Sequence, residues 1–479
     1  MSLLLINAPL TLDPFDSRPR YDRRVPIGIL SLEAFLKAKG TEVWFYDAET
    51  QETGIPGILA IVKERRPLFV GLNCHSVNRF TVYEIAKSIK VYNPEIKIVV
   101  GGVHPTLDPF GTLIECEAID VVVIGEGEVT LYELIKQPDR FDQIDGIAYK
   151  QDGKVKINNP RERIQNLDQI PYPDPQLLSK DIYLSNEDPI YPKIYQRAYL
   201  SATRGCPYEC VFCSSPTLWT RNLTYRSSNN VIEEISKYKI DIGVENFYFY
   251  DDNLPIWPEF NKFCRQVRYY KVHWSCSSRV NLLTHDQLEL MSYGGCNEVS
   301  FGIESGSPRI SDLIHKDITM WLDIEKIGEL IQDCTRLGII PRAHFMLGFP
   351  WENRSDIEAS VKLALQMREA GMNDVNFFQT KAYPGTGLFR KLHELGYCSK
   401  VNIDKGDRFA LVWDWFDEEN PKVVRKLHRF NDIPLISLNP HLSSLDTRRL
   451  VRNAYNLFFC GYSEKDLSEQ LWQGVSWHY

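Results

Sequence analysis

The stretch "LSATRGCPYECVFCSSP", residues 200–216, sets Cys206, Cys210 and Cys213 within eight positions. A disulfide framework wants an even number of cysteines, and a structural zinc site wants four ligands. Three thiolates at spacings of four and three residues suit a centre that keeps one position open. A four-iron cluster has four irons to ligate, so three cysteines leave one iron for a small molecule. Three buried thiols, or a zinc ion completed by a distant residue, are the competing readings. Gly205 and Pro207 flank the first cysteine and make the loop turn tightly. The run "RAYLSAT" before it reads as a strand, which places the loop at a strand's carboxyl end.

Strand-like runs continue downstream at "VENFYFYDD", "VHWSCSS", "NEVSFGIES", "PRAHFMLGFP" and "DVNFFQTKAYP". Helical segments such as "SNNVIEEISKY", "DIEKIGELIQDCTRLG" and "IEASVKLALQMREAG" separate them. Six β–α units imply a partial barrel whose active site is its C-terminal mouth. Upstream, "LLLINAP", "EVWFYDA", "LFVGLNC", "IKIVVGG" and "DVVVIGEGE" read as buried parallel strands alternating with amphipathic helices. That alternation predicts a doubly wound, Rossmann-like parallel sheet ending near residue 140, with ligands at the carboxyl ends of its strands. There "GLNCHS", "GGVHPT" and "GEGE" stand. A hairpin at "GIAYKQDGKVKIN", turning at Asp152-Gly153, and a Pro-rich linker at "QIPYPDPQLL" lie between the two units.

The expected fold class is therefore α/β: a doubly wound sheet (1–140), a hairpin and linker (141–194), a partial (β/α)6 barrel (195–394) and a C-terminal extension (395–479). The extension is aromatic and irregular and is assigned no fold. Its Trp413, Trp415 and Phe416 suit core packing better than a substrate pocket.

With 479 residues, the chain has length for two or three domains. Its 11 cysteines are scattered outside the cluster and odd in number, as in a reducing, cytoplasmic setting. No apolar run approaches the roughly 20 residues that span a bilayer, and the expectation is a soluble protein with no membrane partner. The net charge of −8 counts against nucleic acid as a partner. A basic stretch near the C-terminus, from Lys422 to Arg452, reads as solvated helix faces.

At the cysteines a resemblance emerges. CxxxCxxC with an aromatic, Phe212, before the third cysteine resembles the signature of the radical S-adenosylmethionine (SAM) superfamily. The resemblance implies a 4Fe-4S cluster on Cys206, Cys210 and Cys213 whose open iron chelates SAM, and reductive cleavage of SAM to a deoxyadenosyl radical. It further implies that Asp251 and Asp252 contact the SAM amino group, although no Gly-Gly-Glu occurs there. Glu304 and Ser305 resemble residues at the ribose and methionine part, and Gly348 and Pro350 the backbone turn against the adenine.

A doubly wound sheet ahead of such a barrel resembles the cobalamin-binding domain of the cobalamin-dependent members. By this resemblance Gly101, Gly102, Gly125 and Gly127 let the nucleotide tail approach the backbone. Ser76, Thr106 and Glu126 are its hydrogen-bonding partners, and Arg79 and Tyr21 contact the corrin amides. The first loop holds no histidine. His75 is expected as a loop or cleft residue and His104 as a backbone-orienting one, leaving cobalt's lower face without a protein imidazole.

The implied function is methylation of an unactivated carbon, or phosphorus, of a small molecule, with an external electron donor such as flavodoxin or ferredoxin. Oxidative cyclisation or ring rearrangement is the runner-up on the same cofactors. A cobalamin-binding sensor or electron carrier, a third reading, would need no SAM pocket.

Overall fold

The computed structural model describes residues 2–10, 12, 25–178, 183, 197–394, 400–403, 406–409 and 438–477. Trp413, Trp415, Phe416, Tyr21 and the basic residues Lys422 to Arg429 lie outside these.

Seven strands form the first sheet: β1 (Ser2–Asn7), β2 (Glu42–Asp47), β3 (Phe69–Asn73), β4 (Lys97–Gly101), β5 (Val121–Val123), β6 (Ile147–Gln151) and β7 (Lys154–Ile157). Their order is β2-β1-β3-β4-β5-β6-β7. The first five are parallel, with Leu3 facing Phe69 and Val99 facing Val121. Alternate residues feed two cores. Leu4, Ile6, Val70, Leu72, Ile98 and Val100 pack on one face, and Leu3, Leu5, Val99, Val121 and Val123 on the other. A strand buried on both faces needs an apolar residue at nearly every position, which is why these segments read as continuous runs. The hairpin belongs to this sheet: β6 pairs antiparallel with β5, Ile147 opposite Val123, and β7 with β6.

The second sheet has β8 (Arg197–Leu200), β11 (Asn246–Phe249), β12 (His273–Ser278), β13 (Cys296–Glu304), β14 (Ile340–Leu347) and β15 (Asp374–Gln379), all parallel. Between its first two strands lies a short antiparallel ribbon of β9 (Thr203–Arg204) and β10 (Thr224–Tyr225). The six strands run in sequence order from β8 to β15 and do not close, giving the partial barrel. On β14, Ala343, Phe345 and Leu347 face the helix layer, among residues such as Ile331 and Val361. The other side of this sheet is polar. Glu298 takes Arg197 at 3.6 Å and Arg342 at 3.2 Å, and Arg342 reaches Asp374 at 3.1 Å.

Helix ends are set locally. Ser227 caps the helix Ser228–Ile242 at its start and Gly243, at φ 73°, ends it. Thr284 and Asn353 form capping boxes for the helices His285–Tyr293 and Arg354–Glu369. In the C-terminal extension the helix Ser444–Phe459 packs Leu450, Ala454 and Leu457 into the barrel core, and Tyr455 meets Phe377 edge to face at 5.5 Å. Part of the extension is thus an outer wall of the barrel. Among the described residues no helix is long and apolar enough to cross a membrane.

Candidate functional site

The carboxyl ends of the two sheets open onto one cavity of about 1220 Å³, lined from one side by Asn7, Gly102 and Gly125 and from the other by Gly205, Asp251 and Asp252. Ordinary small-molecule pockets run to roughly 300–1,000 Å³, so this hollow has room for a macrocycle-sized ligand. Gly101, Thr106, Glu126, Gly127 and His75 also line it.

Its floor is shaped by glycine. Gly102 has φ 110°, and a Cβ there would lie 2.8 Å from the Cys74 carbonyl oxygen. Only glycine fits this conformation and this close approach. Thr106 ties two of the loops together, its hydroxyl donating to Gly102 O at 2.8 Å and accepting from Gly125 N at 3.0 Å. A cleft floored by bare backbone at the carboxyl ends of β4 and β5 fits a cobalamin.

Three residues expected at the cofactor have partners within the protein. Ser76 is buried and bonds His104 Nδ1 at 3.0 Å, while its carbonyl accepts from Arg79 at 2.9 Å. Arg79 is buried with it, over the Phe80 ring, and does not line the cavity. Glu126 touches the cavity wall, but its carboxylate is spent inside the protein. Oε1 accepts from Arg204 at 2.8 Å and Oε2 from Ile164 N at 2.7 Å. His75, a cleft residue as expected, lines the cavity.

The three-cysteine loop is held from several directions. Asp251 is buried and accepts from Ala202 N and from both the backbone N–H and the hydroxyl of Thr203, the latter at 2.6 Å. Burial raises its pKa to about 6 despite those bonds. Gly205 has φ 112°, and a Cβ there would fall 2.2 Å from Asn222 O. Beyond it, Val211 N donates to Ile314 O at 3.0 Å and Cys213 N to Cys210 O at 3.0 Å. Arg279, not anticipated from the sequence, donates to Cys210 Sγ at 3.4 Å and lies over the Tyr208 ring at 3.8 Å. Burial pushes the Cys213 thiol up to about 12 and raises Cys206 as well. Bound iron would supply the positive charge such thiolates need. Among the described residues no three His, Cys, Asp or Glu side chains converge on a single metal ion. Three thiols that each take a different iron of a cluster need no such convergence.

The paired aspartates separate. Asp251 lines the cavity, but its carboxylate is bonded to the Ala202 and Thr203 backbone and to the Thr203 hydroxyl. Asp252 opens onto the cavity and takes a 2.5 Å bond from Ser215 Oγ; desolvation raises its pKa. Glu304, at φ 68°, pairs with the buried Lys316 at 3.0 Å. Ser305 follows it. It is fully buried, bonds Ser360 Oγ at 3.2 Å and accepts from Ser307 N at 3.1 Å, so its hydroxyl is spent on the neighbouring helix. Gly348 has φ 94° and donates its N–H to Glu352 at 2.6 Å, with Pro350 buried beside it. Phe212 packs near Phe349, ring centroids 6.1 Å apart.

A glycine-floored doubly wound domain facing a barrel with a three-cysteine loop defines a two-cofactor class of enzyme. Residues 21–135 match the B12 binding domain and residues 200–364 the radical SAM superfamily. An uncharacterised methyltransferase of Pyrococcus horikoshii is 30% identical over 444 residues, covering 91% of this chain and 87% of the relative. An anaerobic magnesium-protoporphyrin IX monomethyl ester cyclase of Rubrivivax gelatinosus is 29% identical over 401 residues, 81% of this chain and 69% of the relative. Among solved structures, the radical SAM methyltransferase TsrM of Kitasatospora setae, with cobalamin and a [4Fe-4S] cluster bound, has a TM-score of 0.69 at 16% identity, covering 85% of this chain and 81% of that one. The chain belongs to the cobalamin-dependent radical SAM enzyme family.

Proposed function

We propose that this enzyme methylates an unactivated carbon, or a phosphorus, of a small-molecule substrate, taking electrons from an external donor such as flavodoxin or ferredoxin. The observation that carries the reading is the shared cavity, onto which the glycine floor of one domain and the Gly205–Asp252 wall of the other both open. When bound, the cluster with SAM supplies hydrogen-atom abstraction and the cobalamin supplies a methyl group. In this reading Cys206, Cys210 and Cys213 hold the cluster. Asp252 and Glu304 place SAM, with Gly348 and Pro350 shaping the adenine side and Phe212 packing behind the third cysteine. Gly101, Gly102, Thr106, Gly125 and Gly127 cradle the cobalamin. The chain's own task is to bring these groups together and keep water out, since hydrogen abstraction needs no general acid or base.

The cyclase relative favours oxidative cyclisation as the second reading, but this chain spans 69% of that protein against 87% of the methyltransferase. Incubation with methyl-labelled SAM, a reductant and candidate substrates tests the two. Methyl transfer gives a labelled product with one deoxyadenosine and one S-adenosylhomocysteine. Deoxyadenosine alone, with an unlabelled product that has lost hydrogen, rejects methylation in favour of cyclisation.

A further inference from the structure

The residue before Gly205 crosses between the two domains. Arg204 sends Nη1 to Glu126 Oε1 at 2.8 Å and Nη2 to Glu128 Oε1 at 2.6 Å. Both carboxylates begin the helix Gly127–Lys136: Glu126 is its N-cap residue and Glu128 stands in its first turn. Neither carboxylate side chain is more than 5% exposed. A second arginine backs the first. Arg163, on the segment after the hairpin, donates to Arg204 O at 3.0 Å and Thr224 Oγ1 at 2.8 Å, and lies 3.9 Å from Glu126 Oε2.

Two residues beyond Arg204 comes Cys206. The run Thr203-Arg204-Gly205 is therefore anchored once to the barrel, through Asp251, and once to the cobalamin-type domain, through Glu126 and Glu128. Gly205 then leaves no slack, because its α-carbon packs against the Asn222 carbonyl. A forked guanidinium with two buried carboxylates fixes direction as well as distance, which a single lysine charge does not.

We infer that Arg204 is a positioning residue that sets the separation of the two cofactors, coupling the cluster loop to the wall of the cobalamin cavity. The inference rests on both groups binding as proposed above. A radical enzyme with two cofactors must hold its substrate between them, and a misplacement of about 1 Å can cost roughly 100-fold in rate.

The test needs no substrate. Full-length wild type, Arg204→Gln, Arg204→Lys and Glu128→Gln are reconstituted anaerobically with iron, sulfide and hydroxocobalamin. Iron and cobalt contents are measured, and the samples are then reduced to cob(II)alamin and the paramagnetic cluster. Electron paramagnetic resonance reads the dipolar coupling between the two spins, which falls with the inverse cube of their separation. Wild type should show one defined coupling. Arg204→Gln and Glu128→Gln should keep both cofactors but show a weaker or broadened coupling, with Arg204→Lys intermediate. A wild-type coupling in Glu128→Gln, which retains the Arg204–Glu126 bond and so perturbs folding least, overturns the inference, as does a wild-type coupling in Arg204→Gln. Loss of a cofactor from both variants with no intermediate behaviour in Arg204→Lys also overturns it, because Arg204 would then serve folding alone. Failure of the wild type to take up cobalamin would instead overturn the function proposed above.

Discussion

Replacing Glu352 with glutamine should remove a pH dependence that the wild type carries in the loop after β14. Glu352 is buried beneath the "LGFP" turn, where one carboxylate oxygen accepts from Gly348 N at 2.6 Å and Phe349 N at 2.9 Å. The other oxygen, Oε1, has no partner among the described residues. Burial raises the pKa from the usual 4.5 to about 8, ahead of the opposing pull of those two N–H groups and Arg309, while Asp356 adds to the rise. The folded-state value lies above the unfolded one, so between pH 4.5 and about 8 the native protein keeps a proton that the unfolded chain has released. Stability contributed by this group is full below 4.5, falls as pH rises through that window and is gone above about 8. Each pH unit of separation is worth about 1.4 kcal/mol, so the loss is at most about 5 kcal/mol. Glutamine is the neutral isostere and still accepts from both N–H groups. Urea denaturation of wild type and Glu352→Gln, at half-unit steps from pH 5 to 9, should give curves that meet at the acid end and separate by several kcal/mol at the alkaline end, the variant being more stable. Parallel curves would refute the reasoning, because the carboxyl would then titrate alike in folded and unfolded chains.

Other expectations follow from the same geometry. A triple Cys206, Cys210, Cys213→Ala variant should hold no cluster by iron analysis and visible absorption. A cluster retained there would have to move to thiols such as Cys74 or Cys276, both fully buried. Glu304→Gln should slow SAM cleavage by about 10- to 100-fold, since a hydrogen bond to a charged group is worth about 1.5–3 kcal/mol; the absorption spectrum of bound cobalamin should not change, and if it does the two sites are not separate. Gly102→Ala puts a Cβ 2.8 Å from Cys74 O at φ 110° and should abolish cobalamin uptake, measured by gel filtration and cobalt analysis, while leaving the cluster in place. Asp251→Asn should lower cluster loading through loss of the Thr203 anchor, whereas Asp252→Asn should spare the cluster and weaken SAM binding by calorimetry; equal effects would undo the division of labour between them.

Much of this architecture was legible because it is written in short-range pattern. Continuous apolar runs marked the doubly buried strands, and turn residues marked their ends. The three cysteines lie within one loop, so chain order alone brings them together. The hairpin was visible too, but not its place: pairing of Ile147 with Val123 depends on which sheet edge is open, and composition does not record that. Glu126 was picked out for lying in a glycine-rich strand end and was given to the cofactor. In the folded chain its carboxylate bonds Arg204, 78 residues away, which no local pattern announces.

The sequence by itself determined the doubly wound sheet and the barrel, the cofactors and the family. It could not decide between neighbours. Asp251 and Asp252 are chemically identical and adjacent and both line the cavity, yet strand alternation and loop curvature bury one carboxylate against the Thr203 backbone and leave the other exposed beside Ser215. Ser305 follows Glu304 directly, and its hydroxyl is claimed by Ser360 on a helix that reaches it only when the barrel is wound. Arg279, Lys316 and Glu352 carry no motif, and they matter because burial beside a thiol, a carboxylate or two backbone N–H groups gives a charge its partner. Hydrogen bonding and desolvation act across space over a few ångströms, and only the folded chain sets those distances.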